Sequence, residues 1–175
     1  MLQTILIAVA VVVVGILAYA ASRPDTFRLQ RSTTITAAAE KVFPMIADFH
    51  EWIRWSPWED RDPALKRTYS GPSSGTGAVY AWEGNKNVGV GRMEIMETTM
   101  PSRVAIKLDF LKPFEVHNIA EFTLEPAGGG TRVTWAMHGP SPFMMKLMGV
   151  FTSMDKMVGK DFEAGLAKMK AAAEA

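Results

Sequence analysis

SPFMMKLMGVFTSMDKMVGKDFEAGLAKMKAAAEA, residues 141–175, decides the fold, because no other segment after the apolar N-terminus encodes a long amphipathic helix. Ser141 can cap this helix, and Pro142 suits its first turn. Charged residues mostly fall off one apolar face, so we predict that this face packs against a partner. The apolar positions recur every three or four residues: Met144, Leu147, Met148, Phe151, Met154, Val158, Phe162, Leu166 and Met169.

The predicted partner of this helix is an antiparallel sheet. Turn residues separate the alternating segments, and the glycines of 125–130 can adopt the positive φ of a tight hairpin. A short helix at 37–48 follows the first strand, with Thr36 as its cap and a kink or break at Pro44. Strands are predicted at 27–35, 65–70, 78–83, 90–99, 103–111, 115–124 and 131–138.

Strand alternation assigns the two faces of the sheet, since neighbouring side chains point to opposite sides. One face is charged and wet, and it carries His117 and His138. The other face is apolar and is the one that the last helix can cover. Its predicted members are Tyr80, Trp82, Met93, Ile95, Val104, Ile106, Leu108, Phe110, Val116, Asn118, Ala120, Phe122, Leu124, Val133, Trp135 and Met137.

The N-terminal segment predicts a transmembrane anchor at 1–22, followed by one domain at 23–175. Residues 2–21 are almost wholly apolar and have the length that crosses a hydrocarbon core. A cleaved signal peptide is the competing interpretation, because Ala18-Tyr19-Ala20 resembles a cleavage site. The apolar run is longer than a usual signal core, and no Lys or Arg precedes it, which favours an uncleaved single-pass anchor.

Basic residues just after this segment predict its orientation. Arg23, Arg28 and Arg31 follow the apolar run, whereas only the terminal amine precedes it. The positive-inside rule therefore favours a cytoplasmic domain. Export after signal cleavage is the alternative.

Composition argues against several function classes. The formal net charge is +1 without a run of like charge, so we expect no nucleic-acid partner. There is no cysteine, and His50, His117 and His138 do not lie at metal-ligand spacing, so we expect no metal or other cofactor. Gly89-x-Gly91 leads into a strand rather than a helix, which argues against a dinucleotide site.

The element order and several motifs resemble the helix-grip fold of the SRPBCC superfamily, which includes START domains and birch-pollen-allergen-like proteins. The polyketide cyclase/dehydrase-like branch is the most similar. The resemblance implies an α+β fold, with a curved antiparallel sheet of about six to seven strands wrapped on a long C-terminal helix and a hydrophobic pocket between them. The motifs are Glu40-Lys41-Val42-Phe43, the tryptophan-rich residues 52–58, GGGTRVTW at 128–135, Met154-Asp155-Lys156-Met157, and Asp161-Phe162-Glu163.

Eight residues form the predicted pocket wall, although a densely packed core without a void is the alternative. Asn118 stands out, because a buried amide must find a hydrogen-bond partner. Backbone groups or Tyr80 could provide that partner, and so could the polar head of a ligand. The wall residues are Trp52, Trp55, Tyr80, Trp82, Asn118, Phe122, Met148 and Phe151.

Three functions agree with these features. The leading hypothesis is a membrane-anchored module that binds a hydrophobic small molecule such as a lipid, a quinone or a polyketide-like compound. A cyclase or dehydratase is the second, but the alternation places no acid–base pair or nucleophile on the apolar face, and we predict no catalytic residue. A protein-interaction or chaperone-like domain is the third, and it would require an exposed tryptophan patch.

Overall fold

Alternating apolar and polar residues between positions 26 and 140 form seven antiparallel strands. The computed structural model describes residues 1–113 and 115–175. Two 3-10 helices, Phe49–Arg54 and Glu59–Arg61, precede the second strand. The other elements are α1 (Leu2–Ala21), β1 (Thr26–Ile35), α2 (Ala39–Ala47), β2 (Lys66–Ser70), β3 (Val79–Glu83), β4 (Val90–Thr99), β5 (Arg103–Lys112), β6 (Val116–Ala127), β7 (Gly130–Pro140), α3 (Phe143–Met148) and α4 (Met154–Glu174).

The strands form one curved sheet in the order β1-β7-β6-β5-β4-β3-β2. A register shift between Ile95 and Glu97 interrupts the β4–β5 ladder, and such irregularities bend a sheet. The predicted apolar face is the buried concave face: Ile95, Ile106 and Phe122 are fully enclosed. An α+β fold with a C-terminal helix against a seven-stranded antiparallel sheet confirms the helix-grip architecture at this level.

The predicted single C-terminal helix is wrong in its first third. Residues 149–153 separate α3 from α4, and Ser153 begins the second helix, because its side chain accepts a hydrogen bond from the Lys156 N–H at 3.2 Å. Pro142, rather than the predicted Ser141, occupies the N-cap of α3, and the Ser141 N–H donates to the Asp25 carbonyl. The stripe therefore divides at 149–153. Phe162, Leu166 and Met169 are buried and Met144, Met148 and Phe151 are exposed, whereas the Met154 side chain lies outside the described part.

The C-terminal part of α4 is fixed on the concave face by an aromatic stack. The rings of Phe162 and Trp135 lie 4.0 Å apart at 9° to one another, and both side chains are buried. Gly165 allows this close approach: a Cβ there would lie only 3.0 Å from both the Trp135 ring and Pro57. Arg31 on β1 adds ion pairs to Asp155 and Glu163 at the edge of α4.

The tryptophan-rich segment forms the second cover of the sheet. The indole N–H of Trp52 donates to the Ile46 carbonyl at 3.0 Å, and that of Trp55 donates to the Met45 carbonyl at 2.8 Å. Both rings are buried, and these bonds fasten the 3-10 helix to α2. Pro44 lies inside α2, which continues to Ala47. Ala38, rather than the predicted Thr36, occupies the N-cap of α2.

Replacing Phe162 should destabilise the domain far more than replacing Phe151. Phe162→Ala removes a buried ring from the stack, so we expect a loss of about 3–5 kcal/mol in the free energy of unfolding. Phe151→Ala is the matched control, because that ring is 75% exposed, and we expect a change within about 0.5 kcal/mol. Urea unfolding of the full chain in detergent, followed by tryptophan fluorescence, measures both. Equal losses would contradict the position of α4.

Glu174 should make the stability of the domain depend on pH in the acid range. Hydrogen bonds from Lys170 and from the Thr36 N–H lower the pKa of Glu174 from 4.5 to about 2. A carboxylate with a depressed folded-state pKa stabilises above its unfolded value, and the contribution disappears as pH falls through the folded value. Glu174→Gln should therefore lower the urea midpoint at pH 6, and the difference should vanish near pH 2. Glu125→Gln, an exposed carboxylate at the end of β6, is the control; a difference independent of pH would contradict this assignment.

Candidate functional site

One row of side chains marks the edge of the covered part of the concave face. Leu108 on β5 pairs with Asn118 on β6, Gly139 on β7 lies against Asn118, and Phe27 on β1 pairs with Gly139. We call Leu108, Asn118, Gly139 and Phe27 the rim row. Leu108 and Phe27 are only half-buried, whereas Ile106 and Ala120 one row further in are buried. The apolar cover of the sheet therefore ends at the rim row.

Asn118 is a buried polar side chain without a full set of partners. It is 4% exposed, its amide nitrogen lies 4.0 Å from the sulfur of Met137, and its amide oxygen has no hydrogen-bond partner among the described residues. That oxygen lies against Gly139, where any Cβ would overlap it. A glycine therefore provides the space that the Asn118 amide occupies. The amide oxygen is a buried hydrogen-bond acceptor that no described residue uses.

Aromatic side chains fill the deeper interior. Trp55 lies 5.9 Å from Phe122 and 5.5 Å from Trp135, in edge-to-face contacts, and Trp52 lies 4.6 Å from Trp55 between ring centroids. Two depressions on the described part of the chain both lie outside these rings. The ring contacts agree with the alternative of a dense core, which stays a prediction beside the pocket.

Both depressions are open and lie along β1. One has a cavity volume of about 250 Å³ and lies between β1 and α4. The other has a volume of about 480 Å³ and lies where β1 begins and β7 ends. The larger one touches Phe27 and Gly139 of the rim row, but its other lining residues place it mainly on the wet side of β1 and β7. Its lining is Thr26, Phe27, Arg28, His138 and Gly139.

The structure brings together six of the eight predicted wall residues. Trp52, Trp55, Tyr80, Trp82, Asn118 and Phe122 are all buried on the concave side. Met148 and Phe151 are the exceptions, because they are 46% and 75% exposed. Their positions on the predicted stripe do not place them inside, since the helix is interrupted between α3 and α4. They lie outside the interior that they were expected to line.

Glu59 is the site residue that sequence reasoning missed. Its carboxylate is 7% exposed, accepts a hydrogen bond from the Tyr80 hydroxyl at 2.8 Å and pairs with Arg67 at 2.6 Å. Burial, and the bond to Glu59, raise the pKa of Tyr80, which therefore remains a protonated donor. The position of Glu59 directly after Trp58 was the available signal, but a 3-10 helix of three residues is too short for a pattern that reveals where its side chains point. The pair with Arg67 neutralises this carboxylate.

Two of the three histidines lie within hydrogen-bond distance of a carboxylate. His117 lies 2.7 Å from Asp109, and its hydrogen bond to Asp109 raises the pKa of the imidazole. His50 lies 2.7 Å from Asp48 and stacks on Tyr69. His117 and His50 are about half exposed. No group of three or more possible metal ligands was found among the described residues.

The fold and the rim row define a helix-grip domain whose concave face ends in a half-buried apolar edge with one unsatisfied amide. A family model described as "Polyketide cyclase / dehydrase and lipid transport" matches residues 26–174. The chain belongs to this family. Membership associates it with a hydrophobic-ligand or cyclase-type role. No curated protein matches the sequence.

Solved structures confirm the fold at low sequence identity. A protein of unknown function, SA2116 from Staphylococcus aureus, is 14% identical with a TM-score of 0.62, over 85% of this chain and 94% of that one. The crystal structure of Ara h 8.0201 is 13% identical with a TM-score of 0.54, over 85% of this chain and 97% of that one. The di-domain ARO/CYC BexL of the BE-7585A biosynthetic pathway is 15% identical with a TM-score of 0.60, over 91% of this chain and 53% of BexL.

Adding a methyl group at Gly139 should destabilise the protein through Asn118. The new Cβ of Gly139→Ala overlaps the amide oxygen, so we expect a loss of about 1–3 kcal/mol, typical of overpacking. In an Asn118→Ala background the overlap is absent, and the same substitution should cost less by at least about 0.5 kcal/mol. A double-mutant cycle by urea unfolding measures this coupling. Strictly additive losses would show that the two residues do not touch.

Proposed function

We propose that this protein is a membrane-anchored binding module for a hydrophobic small molecule, such as a lipid, a quinone or a polyketide-like compound. The observation that carries the proposal is the unpartnered amide oxygen of Asn118, buried at the rim row beside Gly139. Leaving a buried polar group unsatisfied costs about 1–3 kcal/mol, and a ligand that donates a hydrogen bond to it recovers that loss. Family membership supports the same class of ligand.

The surroundings of Asn118 specify the shape of the ligand. Leu108, Phe110 and Val116 are half-buried on the same face, so apolar area remains to be covered beside the amide. Covering apolar area stabilises a complex by about 25 cal/mol per Å². A molecule with one hydroxyl or N–H head and a hydrocarbon body satisfies both features. The six wall residues Trp52, Trp55, Tyr80, Trp82, Asn118 and Phe122 would then bound its site from the inner side.

Helix α1 is the proposed anchor of residues 1–22. It is the one helix in the described chain that is long and apolar enough to cross a membrane, and only 6% of its most apolar window is buried, which does not fit a core helix. A signal sequence has the same properties, and export after cleavage is the alternative location. Arg31 is engaged by Asp155 and Glu163, so Arg23 and Arg28 carry the argument for a cytoplasmic domain.

The enzyme hypothesis has less support from the geometry. Glu59 is the carboxylate that reaches the Tyr80 side of the concave face, and Arg67 holds it as an ion pair. A cyclase or dehydratase requires an acid–base group within reach of its substrate, and the raised pKa of Tyr80 leaves its basic phenolate form unpopulated at neutral pH. The interaction hypothesis required an exposed tryptophan patch, but Trp52 and Trp55 are buried.

Native mass spectrometry of the full chain, released from detergent after incubation with a lipid extract of the producing cells, tests the proposal. We expect a retained hydrophobic adduct. Asn118→Leu should change or abolish the adduct, because it removes the acceptor and fills its space with an apolar group. Glu125→Gln is the matched control on the same strand and should keep the adduct. The bare protein mass alone, before and after incubation, would contradict the proposal.

A further inference from the structure

Exposed apolar side chains outside α1 concentrate in one segment. After residue 22 the described part of the chain exposes nine large hydrophobic side chains, and five of them lie between positions 143 and 157. Single exposed hydrophobic residues are ordinary, but a cluster indicates a contact surface. We call this cluster the α3 patch; its members are Phe143, Met144, Met148, Phe151 and Met157.

The α3 patch is attached to one end of the apolar helix α1. Helices α1 and α3 are in contact, and Ala20 in the last turn of α1 is fully buried. Lys146 of α3 is itself 9% exposed and forms an ion pair with Asp25. The guanidinium of Arg23 donates to the Gly149 carbonyl at 3.2 Å. These contacts fix α3 beside the C-terminal turn of α1.

The length of α1 determines what lies next to that turn. Its 20 residues extend about 30 Å at 1.5 Å per residue, which is the thickness of a bilayer hydrocarbon core. If α1 spans the bilayer, its last turn lies at the boundary between hydrocarbon and headgroups, and α3 lies there with it. Lys156 and Lys160, both exposed, lie on either side of Met157 on α4 and suit an anionic surface.

We propose that the α3 patch rests in the bilayer interface as a second membrane contact, with lipid as its occupant. This inference rests on the anchor of the proposed function. Exposed Met and Phe side chains then face acyl chains, and the exposed charged residues of α4 face headgroups and water. The rim row begins at Phe27, shortly after α1, so the rim row lies beside the bilayer. A ligand dissolved in the membrane would reach it without crossing bulk water.

Site-directed spin labelling tests this placement cleanly, because the chain has no native cysteine. Single cysteines are introduced as Met148→Cys and Phe151→Cys in the patch, Val9→Cys in α1 and Met96→Cys on β4, all at exposed positions. The labelled full chain is reconstituted in phosphatidylcholine vesicles containing phosphatidylglycerol. Collision with oxygen, which concentrates in hydrocarbon, should exceed collision with a water-soluble nickel complex at positions 148, 151 and 9. The order should reverse at position 96.

Each outcome separates the patch from the other proposals. Labels at 148 and 151 that behave like the label at 96, while position 9 reports hydrocarbon, would overturn the α3 patch and leave the anchor in place. A label at position 9 that prefers the nickel complex would overturn both. Ligand retention by native mass spectrometry does not depend on either result, so a failure of the binding proposal is detected separately.

Discussion

The stack of Phe162 on Trp135 is the interaction on which the other parts of the structure depend. It joins the final helix to the concave face, and Trp135 also contacts Trp52, Trp55 and Trp58, so the sheet, the tryptophan segment and α4 meet at one ring. Because these rings fill the deep interior, the half-buried apolar side chains of the concave face lie at the rim row. The position of the proposed ligand site therefore follows from the packing of the core.

The strands were predictable because their period of two directly separates a wet face from an apolar one. Residues 90–99 match β4 completely, and the inward set from Tyr80 to Met137 is the observed concave side. The break at 149–153 was not predictable from the stripe, since Met148, Phe151 and Met154 keep helical spacing through it. The local signals were Gly149 and the capping ability of Ser153, and they prevailed over the apolar period.

The candidate site was predictable only in part, for a related reason. Asn118 is an amide within an apolar alternation, and such a residue stands out in a sequence. Its contact with Gly139 was not predictable, because that contact joins two strands and depends on the register of β6 with β7. Glu59 reaches Tyr80 from an irregular turn, which no sequence period describes. Met148 and Phe151 are exposed rather than buried. They belong to the surface beside α1, which the prediction of one continuous helix did not reveal.

Binding of a hydrophobic molecule on the concave face can be tested most directly with the five tryptophans. All five belong to or pack against the core: Trp52, Trp55, Trp58, Trp82 and Trp135. Fluorine NMR of the full chain labelled with 5-fluorotryptophan would follow them during titration with oleyl alcohol, which combines one hydroxyl with a long hydrocarbon. We expect saturable shifts, largest for Trp82, which packs against Phe110 beside the rim row. Five unchanged resonances, with the alcohol dissolved in the same micelles, would contradict binding on the concave face.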